Sequence, residues 1–321
     1  MAKTSIRHSD HVLNTVQSNQ AAALSAVAAS WRRSALHHGL DPAESLRGER
    51  LGESGMVRLR EANGELLSVA SPIFDSLFGT LCRAGCGIYL ANENGVVIES
   101  RCTAGDTALF ETLNLVRGAC WSEAAEGTNG IGTCLVEARQ VAILRHEHFA
   151  SRNIGVSCMD SPIFDPEGRL VAALDVSTCR SDHGEAMAGV IAALVHCTAQ
   201  QIERDYFCLR YANARIFFAE ADGSAGGPAL LAVDRDDLVI GATRAARVRF
   251  RLGLQPLMAP RPLADLIGMA DRTSFRDGER AVLHQALARS GGNVTAAARR
   301  LGIGRATFYR RMERVELACA H

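Results

Sequence analysis

Arg305, Arg310, Arg311 and Arg314 fall within RATFYRRMERV, where Phe308, Met312 and Val315 recur at i, i+4 and i+7. On a helix that spacing turns the apolar residues inward and leaves Thr307, Arg310, Arg311 and Arg314 outward. A guanidinium is a rigid fork of donors that matches phosphate oxygens and the edge of guanine, so the chemistry this face offers is nucleic-acid recognition. Charge is segregated to suit. Residues 276–321 hold nine Arg and four acidic residues, net +5, and because the whole chain is neutral the remainder carries −5. Phosphate attraction is the main sequence-independent term in DNA affinity, which a basic tail on an acidic body supplies.

Positioning those arginines takes three short helices. Glu279–Arg289 carries Val282, Leu283, Ala286 and Leu287 on one side and is stopped by Gly291 and Gly292. Asn293 is placed to cap a second helix, Val294–Leu301, and Gly302 with Gly304 turns the chain into the third, Arg305–Val315. That is a helix-turn-helix. The competing reading is a basic tail that only solvates or binds another protein. Through GGNVTAAARRLGIGRATFYRRM the segment resembles the Fis family and the C-terminal domain of nitrogen-regulator-type enhancer-binding proteins. The resemblance implies that Arg305 meets a base edge while Thr307, Arg310 and Arg311 meet the DNA backbone. It places Thr295 and Asn293 near phosphate. Tyr309, counted with this set, and Gly304 stand where other members often carry polar or basic residues. Such domains bind double-stranded DNA as two-fold dimers, so the expected target is an inverted repeat with half-sites about one helical turn apart.

Other chemistries are limited by composition. Lys3 is the only lysine, so no GxxxxGK[ST] phosphate loop, Schiff base or pyridoxal-phosphate site can be built, and no cofactor is expected. Gly127, Gly130 and Gly132 follow the order GxxGxG rather than the dinucleotide-binding GxGxxG, and no parallel unit precedes them. His146 and His148 alternate at strand spacing, which would let both imidazoles share a face toward a pocket or a metal. Without a fixed third ligand, HxH equally suits a hydrogen-bonded pocket wall, and no metal is assigned. The ten cysteines are scattered, and a reducing compartment would keep them as thiols. With no basic-then-apolar leader and no apolar run near eighteen residues, the location expected is cytoplasmic, without a membrane.

From about Leu77 to Phe207 short apolar strands alternate with turns: Gly87–Leu90, Val96–Ser100, Val141–Leu144, Val156–Ile163 and Leu170–Val176. Hairpin turns at Asn92–Gly95 and Asp165–Gly168 make the sheet antiparallel. A short helix is expected around Thr133–Glu137. GCGIYLANENGVVIESR, WSEAAEGTNGIGTCLVEARQVAILRHEHF and SPIFDPEGRLVAALDVSTCRSD, with SWRRSALHHGLDP at residues 30–42, resemble the sensory GAF domain of the acetoin-catabolism regulator family of bacterial activators. The resemblance, from roughly Ser30 to Phe207, implies sensing of a small organic effector rather than catalysis. Trp121, Cys134, His146 and His148, with Cys120 and Cys158, are candidate pocket walls, as are Thr128 and Asn129, which turn stabilisation explains as well.

The helix Gly184–Phe207 places Met187, Val190, Ile191, Leu194, Val195, Thr198 and Ile202 on one stripe, and Gln17–His38 is a second amphipathic helix carrying Leu24, Val27, Trp31 and Leu36. Both suit a homodimer. Residues 208–268 look like the start of a PAS domain: strand, acidic turn, strand and Arg-rich helix. The organisation expected is an N-terminal helical region (1–50), a GAF-like domain with its signalling helix (51–207), a partial PAS-like segment (208–268) and a Fis-type helix-turn-helix (276–321), an α+β chain overall. In the resembled activators an ATPase domain that remodels sigma-54 polymerase separates sensor from helix-turn-helix. Here PLADLIGMADRTSFRDGER leads straight into the DNA-reading helices. The expectation is therefore an effector-responsive, sequence-specific transcriptional regulator that acts by DNA occupancy without ATP hydrolysis, with RNA polymerase a further partner the resemblance allows. The alternatives are a GAF-fold thiol reductase and an architectural DNA-bending protein.

Overall fold

Strand Cys86–Asn92 (β1) is buried along its whole length, and Leu170–Thr178 (β5) is buried from Ala172 onward, which is what a near-continuous apolar run requires when helices cover both faces of a sheet. With Val97–Arg101 (β2), Val141–Leu144 (β3) and Ser157–Phe164 (β4) they form a five-stranded sheet in the order β2-β1-β5-β4-β3, antiparallel throughout. The expected strands and α+β class are thus found. Asn92 closes the first hairpin by accepting from Asn94 N and Val96 N, and Asp165 closes the second by accepting from Glu167 N and Arg169 N. The computed structural model describes residues 2–44, 48, 50–219, 227–253, 260–268 and 274–316, in two units, Met1–Pro260 and Arg261–His321. Cys319 lies outside the described residues.

The N-terminal unit begins with helices α1 (Ala2–Gln17), α2 (Asn19–Leu24) and α3 (Ala26–Arg32). The single helix expected over Gln17–His38 is interrupted. Ser25 adopts an extended conformation, its hydroxyl caps α3 by accepting from Ala28 N, and Leu24 and Leu36 end up exposed. These helices pack on the rest of the unit: Val12, Val16 and Trp31 lie against Phe149, and the Trp31 indole donates to Glu147 O at 2.7 Å. One face of the sheet is covered by α5 (Gly64–Leu81), which follows α4 (Glu53–Ala62), and by α9 (Glu185–Arg210). Phe74, Leu77, Ile191, Val195 and Ile202 meet Ile88, Leu90, Met159, Leu174 and Val176 there. Residues 64–84 are long and apolar enough to cross a membrane, contrary to the sequence expectation, yet their apolar side is spent on this core. On α9, Met187 and Val190 lie outward while Ile191, Val195, Thr198 and Ile202 are buried.

The opposite, inner face is covered by α6 (Ala104–Thr112), α7 (Glu123–Glu126) and α8 (Gly130–Glu137), through Phe110, Trp121, Ile131 and Cys134. Residues 215–249 add β6 (Arg215–Ala219), β7 (Ala229–Val233) and β8 (Leu238–Ala242), paired in sequence, then α10 (Arg244–Arg249); β7, β8 and α10 follow the strand-turn-strand-helix order expected, and β6 is a further strand before them.

The second unit holds α11 (Leu263–Ile267), α12 (Phe275–Arg289), α13 (Val294–Arg300) and α14 (Arg305–Glu316). Helix α12 starts one turn earlier than expected because Ser274 caps it, accepting from Asp277 N. Leu283, Ala286, Ala297, Ala298, Phe308 and Val315 form its core, whereas Val282, assigned inward from sequence, is exposed. Asn293 caps α13 as expected, and Gly291, Gly292 and Gly302 take left-handed backbone at the helix ends.

Gly130, the first residue of α8, lies so close to the sheet that an added Cβ would sit 2.0 Å from Asp160 Oδ2 and 2.5 Å from Cys158 Cβ. Gly130→Ala should therefore destabilise the N-terminal unit by about 1–3 kcal/mol as an overpacking change, read as a lowered melting transition.

Candidate DNA interface and buried polar site

On α14, Arg305 and Arg310 are exposed, Tyr309 is half exposed, and Thr307 is partly buried. The Arg305 guanidinium lies 5.7 Å from the ring centroid of Tyr309, one turn on, which gives that departure from the resembled pattern a role in restricting Arg305 on the helix surface. Thr295 is exposed at the start of α13, with Arg299 and Arg300 exposed at its end. Arg311 is engaged differently from its neighbours: it pairs with Glu279 of α12 at 3.1 Å, and Arg314 pairs with the same carboxylate. Both remain substantially exposed, so Glu279 positions two guanidinium groups from behind.

The six residues assigned to a ligand pocket do not converge. Trp121 is buried and donates to Asn114 O at 3.0 Å. Asn129 caps α8, accepting from Gly132 N and donating to Gly127 O. Thr128 Oγ1 is 2.7 Å from Ser30 Oγ, within a buried network in which Ser30 donates to Glu123 and Arg33 bridges Glu123 and Glu137. That network fastens α3 across α7 and α8. Cys134 is fully buried in the apolar core. The shared His146–His148 face does not form, because Arg145–Glu147 is a 3-10 turn rather than a strand; His146 is exposed and His148 fully buried.

His148 belongs instead to a set that sequence spacing does not reveal. Across the inner face, Tyr89, Asp175 and Asp160 are register partners on β1, β5 and β4, and Ser177 partners Cys158 one step along. All five are essentially inaccessible. Ser177 Oγ lies 2.7 Å from Asp175 Oδ2 and 3.1 Å from Cys158 Sγ, and Cys158 Sγ lies 3.4 Å from His148 Nε2. His148 Nδ1 faces Arg145 O at 2.9 Å, so its hydrogen is on Nδ1 and Nε2 is the acceptor. Burial holds the imidazole neutral, with a pKa down at about 4.

The carboxyls are the unusual part. Burial pushes Asp175 up to about 7, against the lowering contacts of Ser177 and Asp160, and burial with the Asp175 charge beside it pushes Asp160 well above the usual carboxylate range. Neither Asp160 oxygen finds a donor among the described residues, whereas Asp175 accepts from Ser177, so what is left to Asp160 is a proton shared with Asp175. The Tyr89 hydroxyl also lacks a partner. Buried polar groups without partners are rare in folded proteins because each costs roughly 1–3 kcal/mol, which sets this row apart from the apolar core that surrounds it. Its thiols are the opposite of activated. Burial raises Cys158 and Cys134 well above the ordinary thiol value, and His148 beside Cys158 is a weak base, so neither of these two thiols is primed as a nucleophile. Every cysteine among the described residues is free, and no group of three metal-binding side chains occurs among them.

Residues 2–204 match the family described as MimR, N-terminal domain, and residues 274–314 match bacterial regulatory protein, Fis family. The acetoin catabolism regulatory protein of Cupriavidus necator is 26% identical over 284 residues, 84% of this chain and 42% of the relative. The propane 2-monooxygenase operon transcriptional activator MimR of Mycolicibacterium smegmatis is 28% identical over 189 residues, 58% of this chain and 31% of the relative. The chain therefore spans less than half the length of these relatives. In a solved complex of Escherichia coli DhaR(N) with DhaL, one chain has the same fold, with a TM-score of 0.52 at 12% identity, covering 74% of this chain and 80% of that one. With its first two hundred residues matched as one unit and its last helices matched as a DNA-reading module, the chain belongs to the MimR N-terminal domain family and carries a Fis-type helix-turn-helix.

Proposed function

We propose that this protein is an effector-responsive, sequence-specific transcriptional regulator that works by DNA occupancy, as a cytoplasmic homodimer on an inverted repeat. The observation that carries the reading is the pairing of an outward, arginine-bearing α14 with a five-stranded domain that buries partnerless polar groups. Support for DNA comes from the Fis-type match and from the exposed Arg299, Arg300, Arg305 and Arg310. Support for a regulator comes from relatives that are themselves regulatory proteins. The effector enters the GAF-like domain at the Tyr89–Asp160–Asp175 cluster, which is closed by Gly130 of α8 in this structure and admits it when α8 lifts. A small hydroxyl-bearing molecule suits it, since such a molecule gives Asp160 the donor it lacks and accepts from the Tyr89 hydroxyl. Occupancy shifts the helices packed on the sheet and thereby the two recognition helices of the dimer. With Lys3 as the only lysine, no Walker loop is present to drive an energy-consuming step. RNA polymerase is a partner of the bound dimer in this scheme.

Selection from a random DNA pool, with and without a panel of small alcohols, ketones and diols, tests the whole reading: an inverted repeat should emerge whose occupancy changes with one compound. Failure to recover any preferred sequence would reject it. Within the site so defined, Arg305→Ala should relax preference at one position of each half-site, at about 1–3 kcal/mol. Arg310→Ala should weaken all sequences alike and reduce the salt slope by about one. For the effector cluster, the raised carboxyl values mean that stability is full at low pH and is lost as pH rises from the ordinary carboxylate range through about 7. Asp160→Asn substitutes an amide donor for the shared proton. It should raise the melting temperature, by more at pH 8 than at pH 5, while abolishing the effector response; a lowered melting temperature at pH 8 would show that the carboxyl pair is structural.

A further inference from the structure

A cavity of about 450 Å³ opens on the other side of the N-terminal unit, where the end of β4, the middle of α9 and the start of α10 meet the loop after α8. None of its lining belongs to the inner-face cluster. Arg244, from α10, stacks its guanidinium 4.2 Å from the centroid of the Phe164 ring and donates to Ala138 O. No carboxylate lies within ion-pair distance of it among the described residues, so a cation is held in place by an aromatic face and one carbonyl with charge left over. Arg139 lines the same space but is paired with Glu137 at 3.7 Å, which leaves Arg244 as the cation without a carboxylate there. Of the two acidic side chains present, Glu137 is taken by Arg33 at 3.1 Å. Glu203 accepts from Phe164 N at 3.0 Å, and burial pushes its carboxyl up to about 8, so at neutral pH it is chiefly a neutral donor.

The remaining polar groups form an ordered chain. Gln200 Nε2 lies 2.6 Å from His196 Nε2 and, having only hydrogens to give, must donate to it. His196 Nδ1 then donates to Ser161 Oγ at 3.1 Å, and the Ser161 hydroxyl keeps its own hydrogen to donate. The cavity thus presents guanidinium, carboxylic-acid and hydroxyl donors, and its size is that of a small-metabolite site.

We propose that this cavity is a second ligand site, separate from the inner-face cluster, and that it binds a small organic carboxylate. The carboxylate lies against Arg244, and its carbon skeleton against Pro162, Ala199 and Val248. Because β4, α9 and α10 each supply a wall, an occupant ties the second sheet's helix to the five-stranded sheet through α9.

The test uses the full chain and measures thermal shift and titration calorimetry with sodium salts of straight-chain and hydroxy carboxylates of about two to six carbons. Sodium chloride at equal ionic strength and the corresponding uncharged alcohols serve as controls. A carboxylate should bind saturably and raise the melting transition where chloride and the alcohols do not. Arg244→Gln should lower its affinity by at least about tenfold, the loss of a charge-assisted bidentate contact. Arg244→Lys, which keeps charge without the fork, should fall between. Hydrogen exchange on the wild-type protein gives a readout independent of the variants: amides of residues 138–140 and 196–203 should be slowed by the carboxylate. Equal stabilisation by chloride, no saturable binding at tens of millimolar, unslowed amides at these positions, or unchanged affinity in a folded Arg244→Gln protein would each overturn the proposal.

Discussion

Two carboxyl groups set side by side in the middle of an apolar sheet face govern much of the N-terminal unit. Asp160 and Asp175 cannot both ionise under α8, and they cannot be moved apart, because register pairs them across β4 and β5. Gly130 is the local consequence: the helix that covers them must begin with a residue that has no Cβ. Asn129, which caps that helix, and Gly127, whose carbonyl accepts from Asn129, follow from the same tight approach. The glycine run therefore serves close packing, Gly130 over the carboxyl pair, Gly127 against the Phe149 ring and Gly132 against the backbone at Trp121–Glu123. A fold that keeps such a pair gives up stability, as folds commonly do at functional sites.

The second unit solves a simpler problem with more ordinary means. Alanines at 286, 297 and 298 let three short helices approach closely around Phe308 and Val315, and left-handed glycines end α12 and α13 where the chain must turn. Glu279 then fixes Arg311 and Arg314 from α12, so part of the basic surface is ordered before any nucleic acid is met. Preordering of this kind lowers the side-chain entropy lost on binding.

How far the fold could be read in advance depended on how local each feature is. The strands, both hairpin turns and the three C-terminal helices rest on spacing within a dozen residues, and each was legible. The break at Ser25 was hidden because a serine suits a polar helix face as well as a cap. The inner-face cluster was hidden for a different reason: Tyr89, Asp160 and Asp175 look like ordinary strand residues until register brings them into one row. The HxH spacing misled because Leu144 ends β3 and Glu147 folds back to accept from its amide, turning a strand period into a 3-10 turn. The cavity beside Arg244 needs three elements far apart in the chain, so no spacing could have announced it.

The buried relay from Asp175 through Ser177, Cys158 and His148 ends at the carbonyl of Arg145, in the turn whose next carbonyls hold the N-terminal helices. His8 contacts His148 O and Trp31 donates to Glu147 O, so α1 and α3 rest on the same few peptide groups that terminate the relay. One short 3-10 turn thus anchors both α1 and α3 to the sheet's buried polar row, so the seating of the opening helices depends on two consecutive peptide groups rather than on their own apolar faces alone.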